Sequence, residues 1–235
     1  MSNPKLLTLL VGLCLCLPTV FAQSPEADWQ RVMGTYQQLN AFSSQMEIAV
    51  YISHRESLPA FRMKASIQKS EHHFRYEVAG QTILFAPDFE LMVNEELQEI
   101  NFTARKLSRK AKKQQELWFL QSGGELPSLP DSVEYGVADA SSFTLELATL
   151  NGPIQKTWIK VDRESYLVQE VTYLYRANDE GPGAKVVVSY QNVSANPSFE
   201  ADTFSPNPYL IQKRKNIALT PAYADYTLQA SISKH

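Results

Sequence analysis

Apolar residues recur along this chain with two different periods, and the change from one to the other divides it into elements. From Asp28 to Leu39, Trp29, Val32, Met33, Tyr36 and Leu39 fall on one helical face, and Asp28 stands where a cap belongs, which predicts a first helix. After Asn40 the period becomes two. Met46, Ile48, Val50 and Ile52 alternate with Glu47, Ala49 and Tyr51; Phe61, Met63, Ala65 and Ile67 alternate with Arg62, Lys64, Ser66 and Gln68; Phe74, Tyr76 and Val78 alternate with Arg75 and Glu77. Each run reads as a strand with one apolar and one polar face.

The breaks between these runs are short. Ala79-Gly80 turns the chain into Gln81 to Ala86, Pro87-Asp88 turns it into Phe89 to Asn94, and Glu95-Glu96 leads to Gln98 to Phe102. Such spacing predicts an antiparallel meander with no room for crossover helices. Thr103 to Gln121 interrupts it with a Lys-, Arg-, Gln- and Leu-rich stretch that reads as a second helix, stopped by Gly123-Gly124 and followed by a loop to Pro130. Strands then resume over Ser132 to Ala138, Ser142 to Leu147, Ile154 to Val161, Tyr166 to Arg176 and Ala184 to Gln191. Asn151-Gly152 is a hairpin signal and Asp162 to Ser165 a tight turn. Short strands are expected near Leu210 and Leu228 in an otherwise irregular tail. The fold class predicted is mainly β within α+β: a curved, incomplete antiparallel barrel of about ten strands with covering helices.

The amino terminus changes where the folded part is expected to start. Lys5, the apolar run Leu6 to Leu17, Pro18 and Val20-Phe21-Ala22 have the order of a signal peptide, with cleavage before Gln23. An exported, periplasmic protein is therefore expected, with a signal peptide at 1–22 and a main domain at 23–210 followed by an extension at 211–235. Cys14 and Cys16 both lie inside the apolar run, and Leu13 and Leu15 occupy the places where a lipidation signal needs a small residue. The mature part thus holds no disulfide, thiolate metal site or cysteine nucleophile, and its stability must come from a core that about 210 residues are enough to build.

Charge and chemistry narrow the function mainly by exclusion. A formal net charge of −3 points to neither nucleic acid nor an anionic surface as the main partner. Eleven Tyr and eleven Phe reinforce the strand reading. There is no G-x-S-x-G elbow, no H-E-x-x-H and no phosphate-binding glycine loop. His72 and His73 head a strand and point to opposite faces, so they do not chelate one ion, and no metal or cofactor is expected. A non-enzymatic protein follows, with a scattered carboxylate pair or another hydrolase centre as the rival reading.

Two features are left as candidate binding surfaces. Arg105, Lys106, Arg109, Lys110, Lys112 and Lys113 crowd one interval and form either a solvated helix face or a docking face for anionic head groups or an acidic partner. Phe61, Met63, Phe74, Tyr76, Ile83, Phe85, Leu91, Val93, Phe143, Leu145 and Leu147 are the candidate apolar face, serving either as a core or as the lining for an acyl chain. The pattern alone leans toward a core, but two helices are few to roof so many strands completely, which leaves room for a cavity or groove.

The order of elements is also familiar. His73-Phe74-Arg75-Tyr76-Glu77-Val78, Gln81 to Phe85 and Phe89-Glu90-Leu91-Met92-Val93-Asn94 resemble the central aromatic strands of the LolA family of periplasmic lipoprotein carriers. Phe143-Thr144-Leu145, Ile159 to Val168 and Phe199 to Pro206, with Phe204-Ser205-Pro206, resemble that family's closing strands. The resemblance covers most of Asp28 to Leu210 and rests on the sequence of elements more than on any one motif. It implies a helix-closed half-barrel that carries acyl chains of lipoproteins, or another lipid, toward the outer membrane. It further implies an inner-membrane release complex and an outer-membrane acceptor as partners of a monomer. The chain departs from the family at Lys69-Ser70-Glu71, where the carriers have Lys-Arg-Pro with an Arg that latches the lid. Related folds serve sensors and protein-interaction modules, which is the alternative function.

Overall fold

A computed structural model describes residues 24–104, 130–177, 183–213 and 216–232. One α-helix, α1 (Pro25–Gln38), precedes the strands. It begins earlier than the apolar period predicts, because Ser24 rather than Asp28 caps it: the Ser24 hydroxyl accepts from the Ala27 amide at 3.2 Å, and Pro25 fills the first helical position. Asp28, Val32 and Tyr36, four residues apart, form its buried stripe.

The strands are β1 (Ala41–Tyr51), β2 (Phe61–Ser70), β3 (His73–Val78), β4 (Gln81–Phe85), β5 (Phe89–Asn94), β6 (Glu99–Ala104), β7 (Ser132–Ala138), β8 (Ser142–Ala148), β9 (Ile154–Asp162), β10 (Val168–Tyr175), β11 (Lys185–Ala195), β12 (Leu210–Lys213), β13 (Asn216–Leu219) and β14 (Thr227–Ile232). Twelve of them make one sheet in the order β14-β6-β5-β4-β3-β2-β1-β11-β10-β9-β8-β7, and β12 pairs with β13 alone. β1 to β6 and β7 to β11 are two antiparallel meanders joined side by side through β1 and β11. β14 is the exception and runs parallel to β6. The edges β14 and β7 do not pair with each other, so the sheet is open rather than a closed barrel.

The predicted turns do their work through backbone chemistry. Ala79 and Gly80 both take positive φ, +47° and +73°, as a tight hairpin turn requires, and Gly152 does so after Asn151 at +91°. Asp162 Oδ1 accepts from the amides of Glu164 and Ser165 and closes the β9–β10 turn. Asn196 Oδ1 accepts from the Asn40 and Ala41 amides at 3.1 and 3.2 Å, tying the end of β11 to the start of β1.

Two cores lie on opposite faces of this one sheet. On the face that carries α1, Val32 and Tyr36 pack with Phe42, Met46, Phe143, Leu145, Ile159, Val161 and their neighbours. At the other end of the sheet the apolar side reverses: Leu84, Phe89, Leu91, Val93, Ile100 and Phe102 face away from α1 and are covered by Tyr209, Leu210, Ile217, Leu219, Tyr223 and Tyr226. The tail is thus more ordered than an irregular segment. It forms the β12–β13 hairpin, a short 3-10 turn (Pro221–Tyr223) and the edge strand β14.

Candidate functional site

Register decides which side chains share the α1 face. Phe42, Lys69, Phe74 and Phe85 stand opposite one another across β1–β4, and Ile67, Tyr76, Ile83 and Met92 form the next row across β2–β5. A further row joins Leu145, Ile159, Val171, Val188, Ile48 and Met63 across β8, β9, β10, β11, β1 and β2. Of the sequence-predicted apolar positions, Phe61, Met63, Phe74, Tyr76, Ile83, Phe85, Phe143, Leu145 and Leu147 lie on this face. Leu91 and Val93 do not. Leu91 pairs with Leu84 and Val93 with Thr82, which turns both to the opposite face and into the core under the tail. The expectation of one shared face is corrected for these two, because strand alternation fixes which residues lie together but not which side they take.

Helix α1 covers only part of its face. A polar anchor holds its amino-terminal half near β7 and the β9–β10 turn: the buried Asp28 carboxylate accepts from the Tyr135 hydroxyl at 2.7 Å and the Tyr166 hydroxyl at 3.4 Å. Arg31 lies 4.0 Å above the Tyr166 ring and donates to its hydroxyl at 3.2 Å. Burial, aided by Asp28, pushes the Tyr135 phenol up to about 12. Two turns on from Asp28, the Tyr36 oxygen accepts from the Val168 amide at 3.0 Å, and burial pushes this phenol well above its usual range.

At the far end of the helix the buried Lys69 donates to the Leu39 carbonyl at 2.9 Å. A cation at the carboxyl end of a helix satisfies carbonyls that the helix itself leaves open. Lys69, the first residue of the Lys69-Ser70-Glu71 stretch, thus ties β2 to the carboxyl end of α1.

Beyond α1 the same face stays apolar but only half buried. Phe143, Leu145 and Leu147 are buried beneath the helix side, and Phe74 is buried too. Met63, Tyr76, Ile83 and Phe85 are intermediate, and Phe61 is half exposed. Val50, Met92, Val186 and Tyr190 belong to the same half-buried surface and were not singled out from sequence. Their signal exists only as cross-strand register: Met92 pairs with Ile83, and Val186 with Val50. Burial raises the Tyr76 phenol, as expected for a hydroxyl among apolar neighbours.

Two clefts bounded by described residues lie on the other face and are polar. One of about 550 Å³ is lined by Gln45, Lys64, Ser66, Glu77 and Thr82, among others. The other, of about 530 Å³, lies where the 198–203 segment crosses Arg75 and Glu77. Neither has the lining an acyl chain needs. Among the described residues no group of three His, Cys, Asp or Glu is placed to hold a metal, and no helix is long and apolar enough to cross a membrane. The candidate docking residues Arg105, Lys106, Arg109, Lys110, Lys112 and Lys113, the rest of the helix predicted around them and the signal segment 1–22 lie outside the described residues; Thr103 and Ala104, where that helix was expected to start, instead continue β6, in register with Glu90 and Phe89 of β5.

No family model matches the chain, and no curated protein does. Solved structures similar to it include LolA superfamily and lipoprotein-sorting proteins. An uncharacterized conserved protein from Thermus thermophilus aligns at a TM-score of 0.49 with 7% identity, over 86% of this chain and 98% of that one. A LolA superfamily protein from Nitrosomonas europaea aligns at 0.36 with 11% identity, over 76% and 97%. MucB in the MucA/MucB complex of Pseudomonas aeruginosa aligns at 0.42 with 12% identity, over 83% of this chain and 63% of that one.

Proposed function

We propose that this protein is a non-enzymatic periplasmic carrier that shelters the acyl chains of lipoproteins, or of another lipid, on the α1 face of its sheet. The observation that carries this reading is the half-buried apolar surface of Met63, Tyr76, Ile83, Phe85 and Met92, which runs on from the packed core beneath α1. Polar positions on such a surface would compete for water, whereas methionine and aromatic side chains adapt to a flexible chain without fixed geometry. The driving force is the removal of methylenes from water, about 0.8 kcal/mol each, so binding needs no chemistry and release needs only a better acceptor.

Native mass spectrometry and uptake of a fluorescent fatty acid test this directly. The full protein is expected to take up the probe, and Ile83→Asp to lose most of that uptake while its circular dichroism stays unchanged. An apo mass together with no uptake by the wild-type protein would overturn the proposal.

A second reading is a sensor or interaction module that binds a protein partner through the basic interval. It is supported by six cations within the nine residues 105–113. Neutralising Arg109, Lys110, Lys112 and Lys113 separates the two readings: a carrier keeps its acyl binding, and a docking module loses its partner.

A further inference from the structure

The two ends of the sheet differ in a way that neither the apolar face nor the cores require. Of the eight large hydrophobic side chains exposed among the described residues, five, Ile52, Leu58, Phe61, Leu97 and Leu150, sit at one end, on or beside the β1–β2, β5–β6 and β8–β9 loops, while Tyr135 and Val137 lie on the edge strand β7 and Ile211 on β12. Leu58 is 78% exposed, Leu150 75% and Ile52 61%. The turns at the opposite end expose Glu71, Asp88, Asp139, Ser141, Arg163, Glu164 and Ser165 and no large apolar residue. Single exposed hydrophobics are ordinary on a soluble protein, but their collection at one rim is not.

These loops are built to hold their apolar residues outward. In the β1–β2 loop, His54 Nε2 lies 2.9 Å from the Tyr175 carbonyl and 3.1 Å from that of Ala184, which fastens the loop to the end of β10 and the start of β11. The Ile52 amide donates to Glu56 Oε2 at 3.0 Å, and the Ala60 amide to the Val50 carbonyl at 2.7 Å. Lys185 lies 3.9 Å over the Tyr51 ring and donates to the Glu56 carbonyl. In the β8–β9 loop, Arg176 donates to the carbonyls of Gly152 and Thr149, and the Leu150 amide donates to Asp131 at 2.6 Å. Ile52, Leu58 and Leu150 therefore project from braced loops while the polar groups behind them are already hydrogen-bonded.

We infer that this rim is a membrane-contact edge that inserts Ile52, Leu58 and Leu150 shallowly into a lipid bilayer. The two loops stand four strand spacings apart, roughly 19 Å along the sheet at about 4.8 Å per strand, so their tips make no continuous groove for a protein ridge to fill. Separate aliphatic tips backed by Arg55, Arg176 and Lys185 suit a fluid apolar phase beneath anionic head groups. The β5–β6 turn, four strand spacings from the β1–β2 loop on its other side, carries Leu97 beside the carboxylates of Glu95 and Glu96, which anionic head groups would repel, and is left out of the contact. Phe61, at the start of β2, pairs with Val50 on the α1 face and joins the rim to the apolar surface behind it. The inference does not depend on what that surface holds.

Flotation with vesicles of phosphatidylethanolamine and phosphatidylglycerol is the test. The full protein is expected to float with the vesicles. The Ile52→Ser, Leu58→Ser and Leu150→Ser triple variant should partition at least a hundredfold more weakly, at about tenfold per aliphatic side chain. Val137→Ser, at an 85% exposed position on edge strand β7, should leave flotation unchanged. In a Leu58→Trp variant, tryptophan emission should shift to the blue on adding vesicles, which reads the tip even if the triple variant fails to fold. Absence of wild-type flotation, undiminished flotation of a folded triple variant, or an unshifted emission from the Leu58→Trp variant would each overturn the inference. Because fatty-acid uptake is measured without vesicles, it can fail or succeed independently of this result.

Discussion

At the scale of single residues, several positions are set by one neighbour each. Gly183 is buried, and a Cβ there would lie 2.0 Å from the Tyr175 carbonyl and 2.9 Å from His54 Nε2, so Gly183→Ala forces the β10–β11 end apart. A loss of about 1–3 kcal/mol in urea unfolding is expected, as for other overpacked sites. Lys69→Met keeps the bulk on the α1 face but removes the donor to the Leu39 carbonyl; about 2 kcal/mol should be lost, with the helix signal in circular dichroism weakening first. Three carboxyls among the described residues are held low and contribute to the response to acid. The Ser142 hydroxyl and the Ser141 and Ser142 amides hold Asp139 low, Lys156 and Trp158 hold Glu146 low, and Ser165 holds Asp162 low. Each binds protons less readily folded than unfolded, so its stabilisation is present above the ordinary carboxylate pKa and disappears as pH falls through the lowered one. The urea midpoint should hold steady from about pH 7 to about pH 5 and drop toward pH 3. A flat profile would show that these hydrogen bonds do not persist in solution.

At the scale of elements, β4 and β5 carry apolar residues on both sides, and the two sides differ in burial. Leu84, Leu91 and Val93 are essentially inaccessible beneath the tail, whereas Ile83, Phe85 and Met92 are half buried on the α1 face. Leu91→Ala should therefore cost about 2–5 kcal/mol of stability, yet leave lipid uptake per folded molecule unchanged. Ile83→Asp should do the reverse. Measuring unfolding and uptake on both variants checks the division, and equal effects on uptake would dissolve it. The helix shows a similar split between what a pattern carries and what it leaves open. Its apolar stripe was legible, but its start was displaced because Asp28, a good cap by type, is buried against Tyr135 and Tyr166, and Ser24 caps instead.

At the scale of the whole molecule, the tail is part of the sheet rather than an appendage to it. Tyr209, Leu210 and the β12–β13 hairpin cover the second core, and β14 takes up the open edge of β6, with the Thr227 amide donating to the Gln98 carbonyl at 2.8 Å. Truncation after Pro208 should expose Leu84, Leu91, Ile100 and Phe102 together. Such a chain is expected to lose cooperative unfolding and to aggregate, as judged by differential scanning calorimetry and light scattering. An unchanged melting temperature would mean that the first core suffices alone.

The strands, their turns and the mainly-β class were written in local chemistry: period-two alternation, Ala79-Gly80, Asn151-Gly152 and the Asp162 turn act between residues close in the chain. The side of the sheet each apolar row faces, the reversal between β3 and β5, the parallel docking of β14 and the gathering of Ile52, Leu58 and Leu150 at one rim were not. Alternation is symmetric, since turning a strand over leaves its pattern unchanged, and only pairing with distant partners and the burial it brings choose between the two faces.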